Sequence, residues 1–136
     1  MGENEGTVEG AAPPSSARTP RPERIVNALG DPVNRRLLGF LDGGPRSVQE
    51  ILAQLALPKS MVYSRLHDLR ELGLVAVQRT VISPEGKRTD LFRSLLEEAR
   101  IDLRAGAVTL TMRTRDLTTE RLKSLWSDLR QEAGPR

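Results

Sequence analysis

The hydrophobic positions change period part-way along the chain, and the change divides it into a helical half and a stranded half. Ile25, Val26 and Leu29 stand at helical spacing and predict a short first helix that Gly30 ends. Asp31-Pro32 predicts the start of a second helix. The aspartate can accept from the first free N–H groups, and proline in the first turn gives up an N–H that has no partner there. Val33, Leu37, Leu38 and Leu41 form its buried stripe, and Asp42-Gly43-Gly44-Pro45 stops it. A third helix opens on Ser47 with Glu50 three residues on, the spacing of a capping box, and carries Val48, Ile51, Leu52 and Leu55 on its apolar face. After the tight break Ala56-Leu57-Pro58, a fourth helix runs from 59 or 60 to 72. Val62, Leu66 and Leu69 face inward in it, and Gly73 is its C-cap.

Beyond Gly73 the period falls to two. Leu74, Val75 and Val77 mark a strand, and Ser83-Pro84-Glu85-Gly86 a turn. In the returning strand Thr89, Leu91 and Arg93 alternate with Asp90 and Phe92. A second strand pair is expected over 99–103 and 108–112, turning at Ala105-Gly106. Helical spacing returns over 118–131, where Leu122, Leu125, Trp126 and Leu129 make one stripe. The first 21 residues combine Gly, Pro, Ser and Glu with almost nothing to bury, so they are expected to be disordered. The chain thus divides into a tail over 1–21, a helix-and-hairpin domain over 22–94, and a hairpin with a terminal helix over 95–136.

Helix, helix, tight turn, helix, hairpin is the order of an α+β winged helix-turn-helix, here with an additional β-hairpin and a C-terminal helix. A short link makes its two helices cross steeply. The fourth helix can then lie in the major groove of DNA, with the third across the backbone and the hairpin as the wing. With Val62, Leu66 and Leu69 inward, the opposite face carries Lys59, Ser60, Tyr63, Ser64 and His67, side chains that reach base edges and phosphates. Arg70 adds charge near the helix end. Lys87 and Arg88 at the wing turn, and Arg79 on its first strand, suit phosphate contact or minor-groove entry, unless they only solubilise a hairpin tip. Arg46 and Ser47 begin the third helix, whose free N–H groups can hold a phosphate, although Ser47 is equally explained as a cap.

The run from Leu57 to Val75, with Pro58-Lys59-Ser60-Met61-Val62-Tyr63 opening it and Leu72-Gly73-Leu74-Val75 closing it, resembles the recognition helix of the arsenic-repressor (ArsR-type) winged-helix regulators. Ala28-Leu29-Gly30-Asp31-Pro32 with Arg35, Leu37 and Leu38 is similar to the start of the second helix in that group. The Leu-Gly-Leu-Val ending is shared with the MarR-type group. The resemblance covers about 24–94 and implies a dimeric regulator of transcription. Metal-sensing members use cysteines near the third helix, or His and Asp pairs on a terminal helix. This chain has no cysteine and a single histidine, His67, so it departs from that pattern.

Composition narrows the reading further. The 136 residues suit one domain with loose ends, and a net charge of only +3 at a pI near 9.9 requires any basic surface to be local. The absence of cysteine removes disulfides, thiolate metal sites and a cysteine nucleophile, and agrees with a reducing cytoplasm. The acidic start is no secretory signal, and Gly6 stands where myristoylation expects Ser or Thr. No stretch approaches the ~18 apolar residues of a membrane span. Phosphate-loop, His-Glu-x-x-His and Gly-x-Ser-x-Gly motifs are missing. The expectation is therefore a cytoplasmic, non-catalytic regulator that binds double-stranded DNA as a homodimer, with no cofactor, metal or membrane. Ile25 and Leu29 of the first helix, with Leu122, Leu125, Trp126 and Leu129, are the expected dimer interface, the alternative being that the last helix folds back on its own domain. The rival is a winged-helix module that docks on another protein. It would expose apolar side chains on the outer face of the fourth helix, whereas an RNA-binding version would lean on the basic wing.

Overall fold

The computed structural model describes residues 22–117 and the backbone of residues 3–9. Strand β1 (Glu3–Glu9) is followed by α1 (Pro22–Leu29), α2 (Pro32–Asp42), α3 (Val48–Leu55) and α4 (Lys59–Glu71). Strands β2 (Val75–Ile82), β3 (Arg88–Ser94), β4 (Leu96–Arg104) and β5 (Ala107–Arg115) complete the order. Four helices and the antiparallel β2–β3 hairpin make a mixed α+β winged helix-turn-helix among the described residues.

The helix ends follow from the residues placed there. Asp31 accepts the Val33 N–H at 2.8 Å, with Pro32 in the first turn of α2. In α3 the capping box closes both ways: the Glu50 N–H donates to Ser47 Oγ at 3.1 Å and the Ser47 N–H to Glu50 Oε1 at 3.0 Å. Ala56, at φ 53°, ends α3 in the left-handed region and sets up the short link to α4. Gly73, at φ 77°, reverses the chain after α4, where the Leu74 N–H donates to the Leu69 carbonyl at 2.9 Å.

The predicted inward faces meet in one core. Leu37 and Leu41 of α2, Ile51 of α3 and Val62 and Leu69 of α4 are fully buried, with Leu74 and Phe92 closing it from the wing side. Ile25 lies in this core too, at 1% exposure, so it is not available as a dimer contact. It points into the space between α1 and the rest of its own chain, leaving Leu29 as the half-buried member of the pair. Leu122, Leu125, Trp126 and Leu129 lie outside the described residues.

Beyond the wing, β4 and β5 pair from Leu96 opposite Thr114 to Arg104 opposite Ala107. They are longer than the expected 99–103 and 108–112. Ala105 (φ 50°) and Gly106 (φ 82°) form the two-residue turn, both left-handed as a hairpin of matching twist requires. The extra length comes from the base, which Arg115 clamps by donating to the Ser94 carbonyl at 2.6 Å and to Asp42 Oδ1 at 2.9 Å. Leu110 is fully buried in the common core, so packing runs through the boundary at 94/95.

The expectation of a disordered stretch over 1–21 does not hold for residues 3–9. They form β1, antiparallel to β5, with Glu3 opposite Arg115 and Glu9 opposite Thr109, giving a sheet of order β1-β5-β4. Pattern-based reading misses such a strand because it looks for apolar side chains. The open edge of β5 offers N–H and C=O groups that pair with any extended segment, whatever its side chains.

Candidate nucleic-acid interface

The helix-turn-helix and the wing enclose a cleft of about 380 Å³. Its floor and walls come from Ser47, Val48 and Gln49 at the start of α3, Lys59 and Tyr63 on α4, and Lys87, Arg88, Thr89, Asp90 and Phe92 on the wing. Two backbone hydrogen bonds tie these walls together. The Arg46 N–H donates to the Phe92 carbonyl at 2.9 Å, and the Phe92 N–H returns to the Arg46 carbonyl at 2.7 Å. The cleft is cationic: Lys59, Lys87 and Arg88 line it against one carboxylate, Asp90, which accepts from Thr80 Oγ1 at 2.8 Å.

The residues named from the sequence divide into three sets. Lys59, Tyr63, Lys87 and Arg88 line the cleft, and Tyr63 is 52% exposed. Ser60, Ser64 and His67 stand exposed on the outer face of α4, opposite Val62, Leu66 and Leu69, as the helical period demands. His67 lies 3.8 Å from Glu71, one turn on. The remaining four differ in setting, two engaged by the fold and two exposed. Ser47 is largely buried at the edge of the cleft, and its hydroxyl is engaged in capping α3. The Arg46 guanidinium stacks on the Phe40 ring at 4.7 Å and its backbone pairs with Phe92, so it acts as a brace. Arg70 is exposed, with its guanidinium 5.8 Å from the Phe92 ring centre, and Arg79 is exposed on β2 outside the cleft.

Sequence reasoning misses two groups. Gln49, Thr89 and Asp90 enter the cleft only because α3 and β3 come together, a meeting of residues some forty apart in the chain. Arg65 reads in the sequence as one more polar residue of α4. It pairs with Asp31, the N-cap of α2, and so fixes how α4 lies on the domain. The Val33 N–H and then Arg65 hold the Asp31 carboxyl below its ordinary value, against an opposing effect of partial burial. The spacing of Asp31-Pro32 announces the cap, but nothing local announces its partner.

Residues 29–78 match the family model described as a helix-turn-helix domain. The match begins on the last residue of α1 and ends within β2, so it takes in the whole of α2, α3 and α4. A domain of this kind points to a DNA-binding regulator. No curated protein matches the chain. No helix among the described residues is long and apolar enough to cross a membrane.

Proposed function

We propose that this protein is a sequence-specific transcriptional regulator that binds operator DNA in the cytoplasm as a winged-helix dimer, without catalysis. Ser60, Tyr63, Ser64 and His67 read base edges from α4, while Lys59, Lys87 and Arg88 hold phosphates on either side. The observation that carries this reading is the cleft between α4 and the wing, lined by three cations and braced by the Arg46–Phe92 backbone pair. Duplex DNA is the polyanion that such a groove beside a protruding helix suits. The outer face of α4 also favours DNA over a protein-docking module. Ser60, Ser64 and His67 are polar and exposed, Met61 is half-buried, and Tyr63 alone is aromatic. The similarity to ArsR-type regulators supports the dimer, in which two reading helices would lie about 34 Å apart, one turn of DNA. Leu29 and the stripe of Leu122, Leu125, Trp126 and Leu129 remain one proposed contact between copies.

Selection of random duplex DNA on the purified protein tests this directly. A palindromic consensus is expected, with affinity falling as salt rises at a log–log slope of roughly −0.9 per phosphate contact. Binding without base preference, or affinity indifferent to salt, overturns it.

A further inference from the structure

The second hairpin carries an apolar and alternately charged strand at the open edge of its sheet. In the order β1-β5-β4, strand β4 is bonded on one side only among the described residues. Its outer half is exposed, and that half includes Ile101 at 47% and Leu103 at 70%, the latter more exposed than any other large hydrophobic described. A long exposed apolar edge of this kind invites another strand.

The geometry points to a second copy of β4 as that strand, paired antiparallel about a two-fold axis at Ile101. Hydrogen-bond direction fixes which registers are allowed. The two-residue turn makes Arg104 and Ala107 a hydrogen-bonded pair, and the pattern alternates back along the strand. The N–H and C=O groups of Ala99, Ile101 and Leu103 therefore point away from β5, to the open edge. Only registers that set these three residues against one another complete the ladder.

Charge then selects among those registers. One face of β4 carries Glu98, Arg100, Asp102 and Arg104 in succession. Centred on Ile101, the pairing sets each Arg100 against Asp102 of the second copy and each Glu98 against its Arg104. On the other face Ile101 meets its own equivalent, and Leu103 meets Ala99. A slide of two residues one way brings Arg100 against Arg100 and Glu98 against Asp102. The same slide the other way brings Asp102 against Asp102 and Arg100 against Arg104. Like charges directly opposite are destabilising and unlike ones stabilising, so charge favours the central register over either slide of two, and it sets more opposite-charge pairs together than any longer slide. Within one chain Glu98 already neighbours Arg100 at 3.8 Å and Arg113 at 3.4 Å, and the second copy's Arg104 would join that cluster. The product is a continuous six-stranded sheet, β1-β5-β4 running into its two-fold mate.

This inference deepens the proposed dimer and does not depend on DNA contact. Its test uses two single charge reversals in the full chain, Asp102→Arg and Arg100→Asp, with sedimentation as the readout and a thermal melt to confirm folding. Each variant alone sets like charges opposite one another, and its self-association should weaken about tenfold or more relative to the unaltered dimer. Mixed in equal amounts, the two restore every opposite-charge pair between unlike chains, so a heterodimer should form. An unaltered protein that is monomeric at tens of micromolar overturns the pairing. So does a single variant that self-associates as tightly as the unaltered protein, or a mixture that associates no more tightly than either variant alone. Binding to a single half-site by the monomeric variants, measured separately, tests the DNA reading alone.

Discussion

The two hairpins are built alike and charged differently. Both are antiparallel and packed against the same core, through Phe92 in one and Leu110 in the other. The wing gathers like charges near its turn, Lys87 and Arg88, beside a third cation on α4. The second hairpin alternates sign from Glu98 to Arg104 and keeps its opposite face apolar. A cluster of one sign repels its own copy and attracts a polyanion, whereas an alternating row is neutral overall and complements its own reverse. In the proposed function, partner choice would then be written in the order of charges on a common backbone form.

The largest effect should come from the shared core. Leu110→Ala removes a fully buried side chain from the second hairpin and should cost about 2–5 kcal/mol in denaturant unfolding. Leu103→Ala, on the same strand pair but largely exposed, should cost far less in the monomer. Equal losses would mean that the second hairpin does not share the core. On the reading helix, Tyr63→Ala or His67→Ala should each forfeit about 1–3 kcal/mol of discrimination between bases, seen as relaxed base preference in competition binding. Lys87→Ala with Arg88→Ala should instead lower affinity for all sequences alike and flatten the salt dependence by about 0.9 for each phosphate no longer held. A changed consensus from the wing pair alone would reverse these roles.

The smallest expected effect is acidic. The Asp31 carboxyl is held below its ordinary value in the folded protein, first by the Val33 N–H and then by Arg65. Its contribution to stability is therefore present above the unfolded value, near pH 4, and fades as pH falls through the lower folded value. Asp31→Asn keeps a capping oxygen and loses the charge. Its deficit in melting temperature should be visible at about pH 7 and shrink towards about pH 2. A deficit that does not change with pH would place the role of Asp31 in packing.

Local signals in the sequence carry most of the helices. Asp31-Pro32, the Ser47–Glu50 box and Gly73 each act within a few residues, so the ends they mark can be read from the chain. The inward faces of α2 and α4 follow from period alone. What period cannot show is which elements meet. The Arg65–Asp31 pair, the entry of Gln49 and Asp90 into the cleft and the burial of Ile25 all depend on packing across the fold. Strand β1 escapes for a different reason, since its pairing draws on backbone groups that every residue carries. Ser47 is legible as a cap, and the Glu50 N–H donated to its hydroxyl bears that out.

The backbone pair between Arg46 and Phe92 has a thermodynamic consequence. It sews the start of α3 to the wing, so these two walls of the cleft cannot separate without opening that bridge. The amide hydrogens of Arg46 and Phe92 should then exchange with solvent only in openings that approach global unfolding, while those at the wing tip exchange freely. A cleft of fixed width loses little conformational entropy when a ligand arrives. Calorimetry of DNA binding should accordingly register a small ordering cost, with any adjustment of shape falling on the duplex.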